Sequence, residues 1–206
     1  MKPKREPATN NGQTYMITSS TWERRELFRN ERWAKLLIET LYHYRGQAYL
    51  LHEFVVMPDH IHVLISPQAS LEKTVQFIKG GFSYRAKKEL ASKMEVWQKG
   101  FQDHRIRDAS DYLIHVSYIH NNPVKEHFCG RPEECPYSSA HPGCELDAVP
   151  QGLRPESFDE HDAARLEGVP FQGKVSNQVE PRRAHEIAPP RNKPVPTPLQ
   201  TKAKSA

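Results

Sequence analysis

The sequence has no apolar run of membrane-spanning length, and no hydrophobic stretch follows the charged start Met1-Lys2-Pro3-Lys4-Arg5-Glu6. A soluble, cytoplasmic protein is the expectation. Cysteine is scarce: Cys129, Cys135 and Cys144 are separated by five and eight residues, an odd set that fits no common zinc pattern and reads as reduced thiols. Neither charge dominates, with 29 Lys and Arg against 25 Asp and Glu. A net +4 suits a polyanionic partner and is too small to name one. No internal repeat is present. Aromatic residues almost vanish after residue 144, where only Phe158 and Phe171 remain, while nine of the 17 prolines gather there. That stretch holds nine basic and nine acidic residues, so the net charge belongs to residues 1–144. Three regions follow: a flexible N-terminus (1–13), a folded domain (14–144), and a proline-rich, largely disordered tail (145–206) ending in extended polyproline-like chain.

Within the domain, Thr14 to Ser20 reads as a strand rich in β-branched and aromatic residues. Asn30 suits a helix N-cap, and Trp33, Leu37, Leu41 and Tyr44 form one apolar stripe over 31–44. Ala48–Val56 is apolar on both faces except at His52 and Glu53, the pattern of a central strand. The turn Pro58-Asp59 leads to a third strand over 60–66, paired as a hairpin. Ser70 caps a second helix with its stripe at Leu71, Val75, Ile78, Phe82 and Ala86. Gly80-Gly81 inside it implies a kink or a close approach, by a phosphate beside Lys79 or by a packed neighbour. A fourth strand is expected at 102–107, then a third helix capped by Asp108 and ended by Pro123. The order β-α-β-β-α-β-α predicts an α+β protein. Its core is a ferredoxin-like split βαβ antiparallel sheet with the first two helices on one face, plus an added helix that carries Tyr118.

Two stretches carry chemistry. In Met57-Pro58-Asp59-His60-Ile61-His62-Val63-Leu64-Ile65 the histidines stand two apart on a strand, so both imidazoles leave one face while Ile61, Val63 and Ile65 pack on the other. Such a pair is ready to hold a metal; the plain alternative is two half-exposed strand histidines with hydrogen-bond partners. On the third helix, Asp111, His115, Tyr118 and Asn122 fall at i, i+4, i+7 and i+11, a polar stripe opposite Leu113, Val116 and Ile119. A phenol is a poor nucleophile at its ordinary pKa of roughly 10. A nearby cation overcomes this by polarising a phosphodiester and offsetting transition-state charge. An amide oxygen one turn past the tyrosine is a fitting third ligand beside two histidines. His115 and His120 read as ordinary hydrogen-bonded helix residues. That the helix packs beside the start of the third strand is the premise these parts require.

Four collinear stretches resemble one family: Val56–Leu64; Leu71–Phe82 with Lys79-Gly80-Gly81-Phe82-Ser83; Val96–Asp108; and Tyr118-Ile119-His120-Asn121-Asn122-Pro123-Val124. Together, over roughly residues 14–142, they are similar to the histidine-hydrophobe-histidine (HUH) single-strand nucleases. Within that class they resemble the single-tyrosine transposases of insertion sequences and the REP-associated tyrosine transposases. The resemblance implies that His60 and His62, with Asn122, hold Mg²⁺ or Mn²⁺. It also implies that Tyr118 attacks single-stranded DNA beside a hairpin or palindromic repeat, keeping the 5′ phosphate and releasing a 3′ hydroxyl. Many relatives have Gln at the position of Asn122, and Asn at that of Asp59. A bacterial, nucleoid-associated setting is implied, with monomer and homodimer both open. For Lys79, Arg105 and Arg107, phosphate contacts are the expectation, because backbone charge dominates single-strand and hairpin affinity.

Two rivals stand beside this reading. A histidine-triad nucleotide hydrolase needs a third histidine where this chain has Leu64. A non-catalytic hairpin-binding protein derived from such a transposase would keep the fold and bind without cutting.

Overall fold

The computed structural model describes residues 12–154. After Thr14 the β-branched run forms β1 (Tyr15–Ser20), and two short 3-10 turns, Trp22–Arg24 and Leu27–Arg29, lead to α1 (Glu31–Tyr44). Asn30 caps α1, its Oδ1 accepting from the Arg32 N–H at 3.0 Å. β2 (Tyr49–Met57) and β3 (His60–Pro67) form the hairpin, turned by Pro58-Asp59. Then come α2 (Leu71–Glu89), capped by Ser70, β4 (Gln102–Arg105), and α3 (Ala109–Lys125), capped by Asp108.

The sheet is antiparallel throughout, in the order β2-β3-β1-β4 of a split βαβ fold. Strand alternation divides its side chains between two cores. Ile17, Ile61, Val63 and Ile65 meet Leu37 and Leu41 of α1 and Ile78 and Phe82 of α2. Met16, Val55, Met57 and Leu64 meet Tyr112 and Ile119 of α3 on the opposite face. The face that carries His60 and His62 is therefore the face α3 covers.

Four expectations are corrected. β2 is an edge strand, and its apolar pattern has a different cause: the chain after α3 covers its open side. The Val56 N–H donates to the Tyr137 carbonyl, the Ser139 N–H to Phe54 (both 2.9 Å), and the Asp147 N–H to Leu51 (2.8 Å). An edge sealed in this way reads like an interior one. The same contacts carry the domain past residue 144, with Val149 and Leu153 packed against the α3 core; residues 1–11 and 155–206, the rest of the expected terminus and tail, lie outside the described residues. Pro123 does not end α3, which runs on to Lys125. In the last turn its missing N–H forfeits a single bond, toward Ile119, and the ring is buried. The end is closed instead by bonds from the Phe128 N–H to Pro123 (2.9 Å) and from His127 to Val124 (3.0 Å), with His127 left-handed at φ 59°. Finally, Cys129 and Cys135 form a disulfide, their Cα atoms 5.6 Å apart, and Cys144 is free; the loop after α3 brings the pair together, which spacing did not reveal.

The two helical glycines differ. A Cβ at Gly81 would lie 2.4 Å from Tyr44 Cε2, whereas at Gly80 nothing lies within 4 Å. The close approach is thus the α1 tyrosine, whose ring is bracketed by His43 and Phe77. Gly80→Ala is expected to stabilise the protein by up to about 1 kcal/mol, as a helix favours alanine. Gly81→Ala is expected to destabilise it by about 1–3 kcal/mol through overpacking. Thermal unfolding of the two variants checks the opposite signs.

Candidate functional site

The premise left open by the sequence holds: the two halves of the site meet. β3 is an inner strand, with His62 paired across to Thr18 on one side and Val55 on the other. The His60 and His62 rings stand nearly perpendicular, 84° apart with centroids at 4.8 Å. Tyr118 of α3 packs edge-on against His62, ring centroids 5.1 Å apart. One helical turn on, Asn122 Nδ2 lies 3.4 Å from His62 Nε2, and the Asn122 amide also hydrogen-bonds the Tyr118 phenol.

Each histidine is oriented from behind. Thr18 Oγ1 is 2.8 Å from His62 Nδ1. With the Asn122 amide donating to Nε2, Nδ1 carries the proton and donates to Thr18. His60 Nδ1 lies 2.6 Å from Asp59 Oδ1, and the other Asp59 oxygen pairs with Arg24 Nε at 2.8 Å. Arg24 reaches this position from two consecutive left-handed non-glycine residues, Glu23 and Arg24, both at φ 54°, a strain of order 1 kcal/mol each. The Thr21 N–H and hydroxyl both donate to the Asp59 carbonyl, fixing the turn to the end of β1. Both imidazoles therefore turn Nε2 away from their anchors, the arrangement found behind metal-bound histidines. His60, His62 and the Asn122 amide are the residues able to hold a cation here.

The electrostatics agree. Burial pushes His62 well below the usual histidine range, and the neighbouring His60 and Arg24 push the same way, so its imidazole is neutral at pH 7. Burial works to raise the Asp59 carboxyl, but the His60 hydrogen bond and the charges of His60 and Arg24 outweigh it, and the net shift is downward. Burial holds the Tyr118 phenol above its usual value, against the lowering effect of the Asn122 hydrogen bond and with a further push from Glu126. The phenol is thus protonated at neutral pH.

The stripe on α3 is not solvent-facing at its N-terminal end. Asp111 and His115 are buried, 7% and 2% exposed. Asp111 receives His104 Nε2 at 2.9 Å and the Arg107 N–H at 3.1 Å, and His115 Nδ1 donates to the Asp111 carbonyl at 2.7 Å. These three side chains, His104, Asp111 and His115, are of metal-ligating type. However, Arg107 Nε also lies on the Asp111 carboxylate (3.3 Å), and the two rings stack in parallel 4.3 Å apart; the cluster clamps β4 to α3. Glu53 and His120 likewise tie β2 to α3 at 2.8 Å, which answers why β2 carries a carboxylate.

The basic residues singled out from the sequence do not join the site. Lys79 Nζ donates to the Gln98 and Gly100 carbonyls, at 2.7 and 2.5 Å, and Trp97 Nε1 donates to the Lys79 carbonyl. Burial lowers its pKa. Its ammonium pins the loop before β4. Lys79→Ala is expected to lower the melting temperature while leaving the salt slope of DNA affinity unchanged; a slope reduced by about one phosphate contact would contradict that placement. Arg105 is exposed and sits opposite Tyr15 in the ladder, on the α1–α2 face. Arg107 is exposed but tethered to Asp111. Thr18 and Arg24 were missed by sequence reasoning. Thr18 is recoverable only by pairing β1 with β3, and nothing local marks Arg24.

A strand-borne histidine pair in contact with a helix-borne tyrosine on one face of an antiparallel sheet defines a protein of the HUH single-tyrosine class. The chain belongs to the family described as "Transposase IS200 like", whose model matches residues 9–122. It is similar to a putative REP-associated tyrosine transposase of Haemophilus influenzae, 29% identical over 108 residues that make up 47% of this chain and 61% of that protein. It is also similar to a REP-associated tyrosine transposase of Escherichia coli K12, 28% identical over 139 residues, 62% of this chain and 80% of the relative. The chain thus spans about three-fifths of the first relative's length. A solved structure of a REP-associated tyrosine transposase bound to a REP hairpin shares the fold, with a TM-score of 0.55 and 22% identity, covering 76% of this chain and 99% of that one. No described helix is long and apolar enough to cross a membrane.

Proposed function

We propose that the protein is a metal-dependent single-stranded DNA endonuclease and strand transferase. In this reading it nicks beside a hairpin and holds the 5′ end covalently on Tyr118. The observation that carries the reading is the meeting of Tyr118 and Asn122 with His62 on one face of the sheet. In the reaction the Tyr118 oxygen bonds to phosphorus, the P–O3′ bond breaks, and the phenol's proton is balanced by the proton gained at the leaving 3′ oxygen. The 3′ hydroxyl then remains available to reverse the step or to attack a second phosphotyrosine.

The donor set fits a Mg²⁺ or Mn²⁺ ion held by His60 Nε2, His62 Nε2 and the Asn122 amide oxygen, turned from its present orientation. Such an ion supplies charge for the pentavalent transition state and polarises the scissile phosphate. Thr18 and Asp59 keep the imidazoles aimed. Asn122 also orients the phenol, and the buried ring of His62 limits where Tyr118 can lie. The short Tyr118–His62 spacing within one chain supports action on its own histidines. Hairpin DNA as the partner is supported by the fold shared with a transposase bound to a REP hairpin; Arg105 and Arg107, exposed but apart from the histidine pair, are proposed as contacts to phosphates away from the scissile one.

The test is incubation with labelled single-stranded hairpin oligonucleotides and Mn²⁺, followed by a denaturing gel: a protein–DNA adduct is expected. A protein that retains the hairpins and never forms an adduct is a binder, and the reading fails. In addition, Thr18→Val, which replaces the hydroxyl by a methyl of similar size, is expected to weaken Mn²⁺ affinity about 10–100-fold, read as free Mn²⁺ by electron paramagnetic resonance.

A further inference from the structure

Next to the site lies a half-open cavity of about 330 Å³ with mainly apolar walls, within the size range of small-ligand pockets. Val55, Met57 and Pro58 form one wall and Pro123 another, and the disulfide-closed loop after α3 completes it. Its position is set by the site's own elements. Met57 pairs with His60 across the hairpin, Pro58 precedes His60 by two residues, and Pro123 follows Asn122 directly. At the rim stands Phe128, 44% exposed. Its place is fixed by the hydrogen-bonded end of α3 and the left-handed His127. The Arg29 guanidinium lies over the Phe128 ring, 5.4 Å from its centroid, and is also paired with Glu26.

An apolar cleft with an exposed aromatic and a guanidinium at its mouth matches one chemistry well. A nucleobase has flat apolar faces that stack on an aromatic ring, and the phosphate attached to it suits an arginine. We propose that this cavity seats one unpaired base of the DNA strand crossing the histidine–tyrosine site, with Phe128 stacking on the base and Arg29 facing its phosphate. The proposal rests on the single-strand reading above and adds to it where the strand leaves the site. Seating a base here gives the strand a hold beside the reacting phosphate, which limits the positions the backbone can take.

The test needs neither metal nor cleavage, so its failure and the failure of adduct formation are separate results. Protein labelled with ¹³C-methyl methionine has a reporter in the cavity wall, Met57, and a control, Met94, that is 46% exposed elsewhere. Each of the four 5′-deoxynucleoside monophosphates is titrated, with deoxyribose 5-phosphate in parallel. At least one nucleotide is expected to shift the Met57 methyl saturably while leaving Met94 in place, and the sugar phosphate is expected to leave both unmoved. Phe128→Ala, with the buried Met16 resonance unchanged as a check of folding, is expected to weaken that nucleotide about ten-fold. The homohexamer of the same base is expected to bind more tightly than the mononucleotide. The proposal is overturned if no nucleotide moves Met57, if the sugar phosphate moves it equally, if Phe128→Ala leaves the affinity unchanged, or if the hexamer is refused.

Discussion

Tyr118→Phe is expected to abolish the covalent protein–DNA product while leaving hairpin binding within about two-fold of the parent, an allowance well under 1 kcal/mol. The substitution removes one oxygen. The ring that packs 5.1 Å from His62 stays, so α3 keeps its seat on the sheet and the variant folds. What disappears is the atom that, under the proposed mechanism, forms the bond to phosphorus. Tyr112, the next tyrosine on the helix, is buried in the α3 core with its phenol pushed above the usual range by burial, and is not placed to substitute. Adduct should fall below detection, since no partial activity survives without the nucleophile. An adduct of undiminished yield on Tyr118→Phe would show that another residue attacks.

His62→Ala is expected to have the second-largest effect. His62 is where four parts of the site converge: Thr18 behind it, His60 beside it, Tyr118 against its edge and Asn122 at its Nε2. Loss of the imidazole removes a proposed ligand and the surface against which the tyrosine is positioned. Residues that merely orient metal-bound histidines are worth about 10–100-fold, so the ligand itself should be worth more than about a hundred-fold in Mn²⁺ affinity and in adduct rate. Hairpin retention without metal should persist. If His62→Ala binds Mn²⁺ as the parent does, the donor set assigned here is wrong.

Both variants rest on a juxtaposition that the sequence hinted at without containing. The alternation of His60, Ile61, His62 and Val63 fixed which side chains share a face, because strand geometry allows only two. Helix periodicity likewise put Tyr118 and Asn122 on one line. Caps at Asn30, Ser70 and Asp108 were legible because each is a local hydrogen bond of the residue to its own helix. What was not legible depends on distant segments. β2 reads as an interior strand because residues 137–147 cover its edge, more than eighty residues along the chain. Lys79 looked like a surface cation, yet the loop at 98–100 supplies two carbonyls to its ammonium. Asp111 and His115 read only as part of a polar stripe, and β4 with the segment after it supplies the His104 and Arg107 that partner them. Gly81 shows the same limit: the sequence left a kink or a close approach open, and only the fold identified Tyr44 as what approaches.

The most direct measurement is mass spectrometry of the trapped adduct after protease digestion, combined with end analysis of the released DNA. Under the mechanism proposed here, the added mass is a 5′-phosphorylated oligonucleotide on the peptide that contains Tyr118, and the released fragment ends in a 3′ hydroxyl. Mass on any other residue, or a released fragment ending in a 3′ phosphate, would contradict it.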